Sequence, residues 1–256
     1  MISIVNRKGG VGKTTTTFNL AGTLARMGHD VLVMDIDPMG SLCRALRVYP
    51  GDIALSDLLI TSSSSMGELI RPTHVPHLFV IPGDPNLRSF ETRHGRSPGY
   101  RVALRDGLAE VLKWKPFPFV LIDCPPSLGL ISGNALVASS EAIIPVDGST
   151  FGMGALLDTL AIIRLVRENV NAQLSVSGLL LNNVDFGTVY DRTVLEVFKQ
   201  RFQGLMFGAV IPTSPEADES AQMGAPVGDY SPSSWMAKAY QRLAQEMVTW
   251  RPGDVG

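Results

Sequence analysis

Cysteine is scarce in this 256-residue chain: there are two, Cys43 and Cys124, with no C-x-x-C pair. No histidine pattern stands near them, so disulfide frameworks, zinc sites and iron–sulfur ligation lack their usual ligand sets. A reducing cytoplasm is the expected compartment. An excess of one charge is also missing. With 22 basic and 24 acidic residues the net charge is −2, which gives no overall basic field, so any contact with nucleic acid must come from a local patch. Long apolar runs are absent too. The stretch Ile2 to Val5 stops at Asn6-Arg7-Lys8, far short of a secretion signal. The uncharged stretch Cys124 to Ser140 is broken by Pro125, Pro126, Gly129, Gly133 and Asn134, so it does not read as a membrane span. Residues 233–250 have helical spacing at Ala239, Leu243, Met247 and Trp250 and lead into a polar tail. A packed terminal helix is expected there, since a membrane-targeting helix needs a basic face and exposed bulky apolar residues.

What the chain does have is apolar content, at 45%, enough for a sizeable core and for one domain over residues 1–256. Short apolar runs recur at Ile2 to Val5, Val31 to Met34, Leu78 to Ile81, Val120 to Ile122, Ala142 to Val146, Val176 to Leu181 and Ala209 to Ile211. Helix-length segments lie between most of them: Thr14 to Met27, Ala103 to Trp114, Leu156 to Glu168, Thr193 to Phe202 and Ser233 to Val248. Continuous apolar strands alternating with helices predict an α/β fold, a doubly wound, mostly parallel sheet with helices on both faces. Ligands of such sheets bind at the carboxyl ends of the strands. Thr61 to Ser65 reads as a surface loop.

Between the first strand and the first helix lies Lys8-Gly9-Gly10-Val11-Gly12-Lys13-Thr14-Thr15. Glycines let backbone N–H groups close around phosphate oxygens, and the helix start adds orphan donors and the positive end of its dipole. Lys13 suits the β and γ phosphates, and Thr14 offers a hydroxyl to Mg²⁺. The ordinary phosphate loop has glycine where this chain has Arg7, and it lacks a second lysine such as Lys8. Two strands then end in acids, at Asp35-Ile36-Asp37-Pro38 and at Asp123-Cys124-Pro125-Pro126-Ser127. A single such acid is usually a turn or cap residue, but here the acids converge where phosphates should lie. Asp123 suits the metal shell and Asp37 an attacking water, while Asp35 is either structural or a second metal partner.

These residues resemble the ParA/MinD family of deviant phosphate-loop ATPases, and most closely its ParA-type partition branch. The resemblance extends through Asp123-Cys-Pro-Pro-Ser-Leu-Gly, Asn134-Ala-Leu, Ile211-Pro212, Glu219 and Pro226-Val227. It implies an ATPase that uses ATP and Mg²⁺ and closes into a homodimer with ATP sandwiched at the interface, Lys8 reaching the partner subunit's nucleotide. It places the loop residues Lys8 to Thr15 on the phosphates, Thr14, Asp37 and Asp123 around the metal, and Asn182 and Pro212 near the adenine. Asn183 could exchange roles with Asn182. The implied activity is a switch that positions DNA or a protein cargo, with slow hydrolysis stimulated by a separate partner protein. Nonspecific DNA binding by the ATP dimer would place it on the nucleoid.

One departure bears on the DNA. Where relatives often carry arginines after the Pro212 position, this chain reads Thr213-Ser214-Pro215-Glu216, and phosphate contacts need Lys or Arg. Two other basic groups are candidates: Arg88, Arg93, His94, Arg96, Arg101 and Arg105, or Arg192, Lys199 and Arg201. The alternatives to a DNA-positioning switch are a MinD-like spatial regulator, a ligase or electron-transfer relative, and a regulatory protein that uses ATP to select partners.

Overall fold

The computed structural model describes residues 1–61, 66–94 and 99–249. Its strands are β1 (Ile2–Ile4), β2 (Val31–Asp35), β3 (Arg71–Pro72), β4 (Leu78–Ile81), β5 (Phe119–Asp123), β6 (Glu141–Val146), β7 (Ser175–Val184) and β8 (Met206–Pro212). The helices are α1 (Lys13–Arg26), α2 (Ser41–Leu46), α3 (Leu55–Thr61), α4 (Leu87–His94), α5 (Ala103–Trp114), α6 (Leu130–Ala138), α7 (Thr150–Asn169), α8 (Val189–Arg201), α9 (Glu216–Met223), α10 (Val227–Tyr230) and α11 (Trp235–Thr249). The described strands form one sheet in the order β3-β4-β2-β5-β1-β6-β7-β8. All pairs are parallel except β3 with β4.

The sheet is doubly wound because its strands are apolar on both faces. In β2, Leu32 and Met34 join a core layer with Leu55, Leu108, Ile131 and Leu156. Their neighbours Val31 and Val33 join the opposite layer with Phe18, Leu24, Leu42 and Leu243. Successive side chains of a strand point to opposite faces, so a strand covered on both sides must be apolar throughout. Central β1 pairs with both β5 and β6. The chain therefore winds outward on one side of β1 and then on the other, and the carboxyl ends of seven parallel strands, β1, β2, β4, β5, β6, β7 and β8, come to one edge. Among the described residues, no helix is long and apolar enough to cross a membrane.

Several boundaries differ from the sequence expectation. Asp35 and Asp123 are the last residues of their strands, paired in register across β2 and β5, and do not lie past the strand ends. Asn182 sits inside β7, which continues to Val184. Helix α7 starts at Thr150, earlier than the expected Leu156, and α8 at Val189, where Thr188 Oγ accepts the Asp191 N–H at 3.1 Å as an N-cap. The terminal helix runs over Trp235–Thr249; Ser62 to Ser65 and Trp250 lie outside the described residues.

A close contact fixes α1 against the segment before α11. A Cβ added at Gly22 would lie 2.3 Å from Pro226 Cγ, while Asn19 Oδ1 accepts the Val227 N–H at 2.7 Å. Helix propensity favours alanine over glycine by about 1 kcal/mol, but overpacking costs about 1–3 kcal/mol. Gly22→Ala should therefore lower the urea midpoint. A midpoint at or above that of the unmodified protein would show that Pro226 yields to the added methyl.

Candidate functional site

The loop after β1 is held open by its neighbours. Asn6 Oδ1 accepts the Lys8 N–H at 2.9 Å and Asn6 Nδ2 donates to the Pro145 carbonyl at 2.7 Å, tying the loop entry to β6. Gly12 has φ 84°, and a Cβ there would lie 2.5 Å from Asn182 Nδ2. Backbone and space both require glycine at that turn. Asn182 Nδ2 donates to the Val11 carbonyl at 2.9 Å and to Thr16 Oγ at 3.1 Å, and Asn183 Nδ2 donates to the Gly10 carbonyl at 3.2 Å. The neighbouring asparagines thus both brace the loop, while Asn182 Oδ1 is buried with no partner among the described residues.

Behind the loop stand the acids. Asp123 is fully buried; Thr14 Oγ donates to its Oδ2 at 2.8 Å and Thr17 Oγ to its Oδ1 at 3.3 Å. Burial, reinforced by Asp35, holds its carboxyl well above the usual carboxylate range. Asp35 accepts the Asp37 N–H at 3.1 Å and the Cys43 N–H at 3.0 Å. With both oxygens on backbone donors, Asp35 braces the turn that presents Asp37; of its two expected roles the structure shows the structural one. Asp37 faces the cavity, and its Oδ1 accepts the Met39 N–H at 2.9 Å.

The two loop lysines are parked differently. Lys13 is buried, with Nζ donating to the Lys8 carbonyl at 2.9 Å. Burial pushes its ammonium below the usual lysine range, against the pull of Asp123, Cys124 and Asp37. Lys8 Nζ is held by the Asp147 carboxylate and by Ser149 Oγ at 2.7 Å. That turn is itself fastened: Ser149 Oγ donates to Asp147 Oδ1 at 2.8 Å, and the Tyr190 hydroxyl donates to the Gly148 carbonyl at 2.9 Å.

The result is a cavity of about 570 Å³. Its walls take in Gly9, Gly10, Gly12, Lys13, Thr14, Thr15, Asp37, Asn182 and Pro212 from the sequence expectation. Its deeper side is apolar, with Phe18, Ala45, Ile211, Met236 and Tyr240. Val11 and Asp123 sit behind the wall, and Lys8 is turned toward β6. A phosphate chain with a hydrated hard cation fits this donor set: loop N–H groups, one ammonium, one hydroxyl and two carboxylates. Among the described residues, no group of three or more His, Cys, Asp or Glu side chains could hold a metal ion.

Sequence reasoning missed Asp147 and Ser149 as the seat of Lys8. The signal was present, because Asp147 follows an apolar strand as Asp35 and Asp123 do. Thr17, one helical turn past Lys13, is the other missed partner of Asp123.

The comparisons with known proteins agree on the kind of chain. The family described as an AAA domain matches residues 1–176. The sporulation initiation inhibitor protein Soj of Bacillus subtilis is 35% identical over 97% of this chain and 98% of its own length. The chromosome partitioning protein ParA of Caulobacter vibrioides is 32% identical over 97% and 94%. Among solved structures, the cobyrinic acid a,c-diamide synthase of Mycobacterium smegmatis with bound ATP analog and magnesium is 27% identical with a TM-score of 0.81, covering 96% of this chain and 93% of the other.

Proposed function

This chain belongs to the ParA/MinD family of phosphate-loop ATPases, alongside Soj and ParA, and from that membership we propose that it binds and hydrolyses ATP with Mg²⁺ as a dimerising switch. The whole of residues 1–256 serves as one ATPase unit, and the ATP-bound dimer positions DNA or a protein cargo. The observation that carries the reading is a single cavity wall presenting the glycine loop, Lys13, Thr14 and Asp37, with Asp123 behind Thr14 and Lys8 turned away onto Asp147 and Ser149.

Phosphoryl transfer is catalysed mainly by positioning and charge neutralisation. Lys13 and the N–H groups of Gly9 to Thr15 bind and orient the phosphates. Thr14, Asp123 and Asp37 would hold Mg²⁺, which would neutralise charge on the phosphate oxygens. Asp37 orients the water that attacks. Asn182 and Pro212 flank the base. Lys8 leaves Asp147 and Ser149 to reach the partner subunit's nucleotide, so dimer closure is coupled to the γ-phosphate. A separate protein stimulates turnover, and binding of the dimer to DNA would localise it on the nucleoid.

A paired substitution series tests this. Lys8→Ala should keep ATP binding but lose the ATP-dependent dimer in analytical ultracentrifugation, and Asp37→Ala should keep the dimer while hydrolysis falls by roughly 100-fold or more, the usual scale of a lost positioning or general-base group. A monomer in all conditions, with turnover unchanged by both substitutions, would defeat the proposal. The likeness to the synthase favours a ligase reading, but the Soj match is higher in identity and spans both chains almost completely.

A further inference from the structure

Several exposed cations of the described residues are answered by a carboxylate: Arg7 by Asp158, Arg26 by Asp229, Arg105 by Asp106, Lys199 by Glu196 and Arg242 by Glu246. Others, such as Arg101, Arg167, Arg192 and Arg201, have no such partner among the described residues. Beside the nucleotide cavity three of the unanswered ones gather. Arg44, Arg47 and Arg88 are exposed, and none has a carboxylate within 4.0 Å among the described residues. Each rests on a neutral acceptor. Arg44 donates to the Met39 carbonyl and, at 3.0 Å, to Ser41 Oγ; Arg88 Nη2 approaches Met39 Sδ at 3.5 Å. Arg47 Nη2 donates to the Gln222 carbonyl at 3.0 Å, and His74 Nε2 lies 2.6 Å from the Gly224 carbonyl. Met39 and the Gln222–Gly224 turn are therefore two anchor points of one arc: Arg88, Arg44, Arg47, His74. A guanidinium that spends one or two N–H groups on a carbonyl keeps the others, and its full charge, for an anion.

The arc is also wired to the nucleotide. Ser41 and Ala45 of α2 line the cavity, while Arg44 on the same helix and Arg47 at its C-cap carry the charge. Ala217, Asp218 and Ala221 of α9 line it from the other side, and the end of that helix is what Arg47 and His74 hold. Met39, the shared anchor of Arg44 and Arg88, is itself held by the Asp37 carboxylate. Any rearrangement of Asp37 toward a bound nucleotide moves the anchor.

We propose that Arg88, Arg44 and Arg47, with His74, form the surface that grips the phosphate backbone of duplex DNA, and that the Asp37–Met39 turn couples this grip to the nucleotide. The inference deepens the DNA-binding part of the proposed function and rests on it. It also gives the acidic start of α9, with Glu216, Asp218 and Glu219, a bland neighbouring role: the DNA contact lies at the other end of that helix. Unpaired arginines on a neutral frame fit a polyanion of repeating phosphates, where each contact releases counterions and needs no base-specific geometry.

The test is a salt titration of a nonspecific duplex with the full chain and ATP. Each lost phosphate contact should flatten the slope of log K against log[salt] by about 0.9 and weaken binding by about tenfold near 0.1 M salt. Arg44→Ala with Arg88→Ala should therefore lose about 100-fold, with ATP affinity unchanged. The double lysine variant should keep most of the binding, and Arg242→Ala should match the unmodified protein. Equal DNA affinity in the double alanine variant would overturn the arc while leaving DNA binding in place. No DNA binding by the unmodified protein with ATP at low salt would overturn both. Binding of polyglutamate in place of DNA would assign the arc to an acidic protein partner and overturn the proposal.

Discussion

Lys13→Ala should lower ATP affinity by roughly 100-fold or more, on the scale of a lost charge-assisted contact in a desolvated site. The lysine is already buried and pointed along the loop, so its ammonium is held where water screens it poorly. Its position is maintained by the Lys8 carbonyl at 2.9 Å, a neutral acceptor that a phosphate oxygen would outcompete. Loss of the side chain leaves Asp123 and Asp37 without the cation that offsets them. Titration with a fluorescent ATP analogue measures the effect, with circular dichroism to confirm the fold. An affinity within threefold of the unmodified protein would remove Lys13 from the phosphates.

Asp123→Asn should act in opposite directions on stability and activity. In nucleotide-free protein with chelator present, Asp123 is a fully buried carboxyl answered by two threonine hydroxyls and crowded by Asp35. Its folded pKa is raised, so its stabilising form is the protonated one: that contribution is present at low pH and lost as pH rises through the raised value. Asparagine removes the charge at every pH. The variant should melt higher than the unmodified protein at neutral pH, by about 2–4 °C for each 1 kcal/mol recovered, and the difference should shrink as pH falls and Asp123 itself becomes neutral. Hydrolysis should fall by at least roughly 100-fold, because the proposed metal shell would lose a carboxylate. Equal melting temperatures at neutral pH would mean that Asp123 carries no buried charge; unchanged turnover would place the metal elsewhere.

The engine of this protein was readable in one dimension because its parts are local. A buried parallel strand must be a continuous apolar run, so Val31 to Met34 and Val120 to Ile122 announced themselves, and the glycine loop follows its strand directly. The missed elements are short or irregular. β3 is two residues with a proline at the sheet edge, and α2, α9 and α10 are helices of four to eight residues with no side-chain N-cap. None offers enough periodicity to register. What sequence spacing could not supply was pairing at long range. Lys8 finds Asp147 across 139 positions, and Asn182 finds the Val11 carbonyl across 171. The basic segment from Arg88 to Arg105 was visible as composition, but Arg93 and Arg96 fall where side chains are not described, Arg105 is neutralised by Asp106, and Arg88 shares Met39 with Arg44. Composition counts charges; only the fold says which of them are already answered.

The two cysteines follow each acid strand or its turn closely, Cys43 donating its N–H to Asp35 and Cys124 standing next to Asp123. Both are buried, and burial together with the neighbouring carboxylate pushes each thiol far above its ordinary range. A thiol that cannot ionise does not attack a disulfide, an alkylating reagent or a peroxide. The protein should thus behave identically in reducing and mildly oxidising buffers. The same chemistry leaves the surface free for labelling: Trp114, 94% exposed at the end of α5 that leads into the amino end of β5, is far from the acids. A fluorophore attached through Trp114→Cys would be the single reactive position on the folded molecule, and two such molecules would report their own association by energy transfer without touching the machinery that drives it.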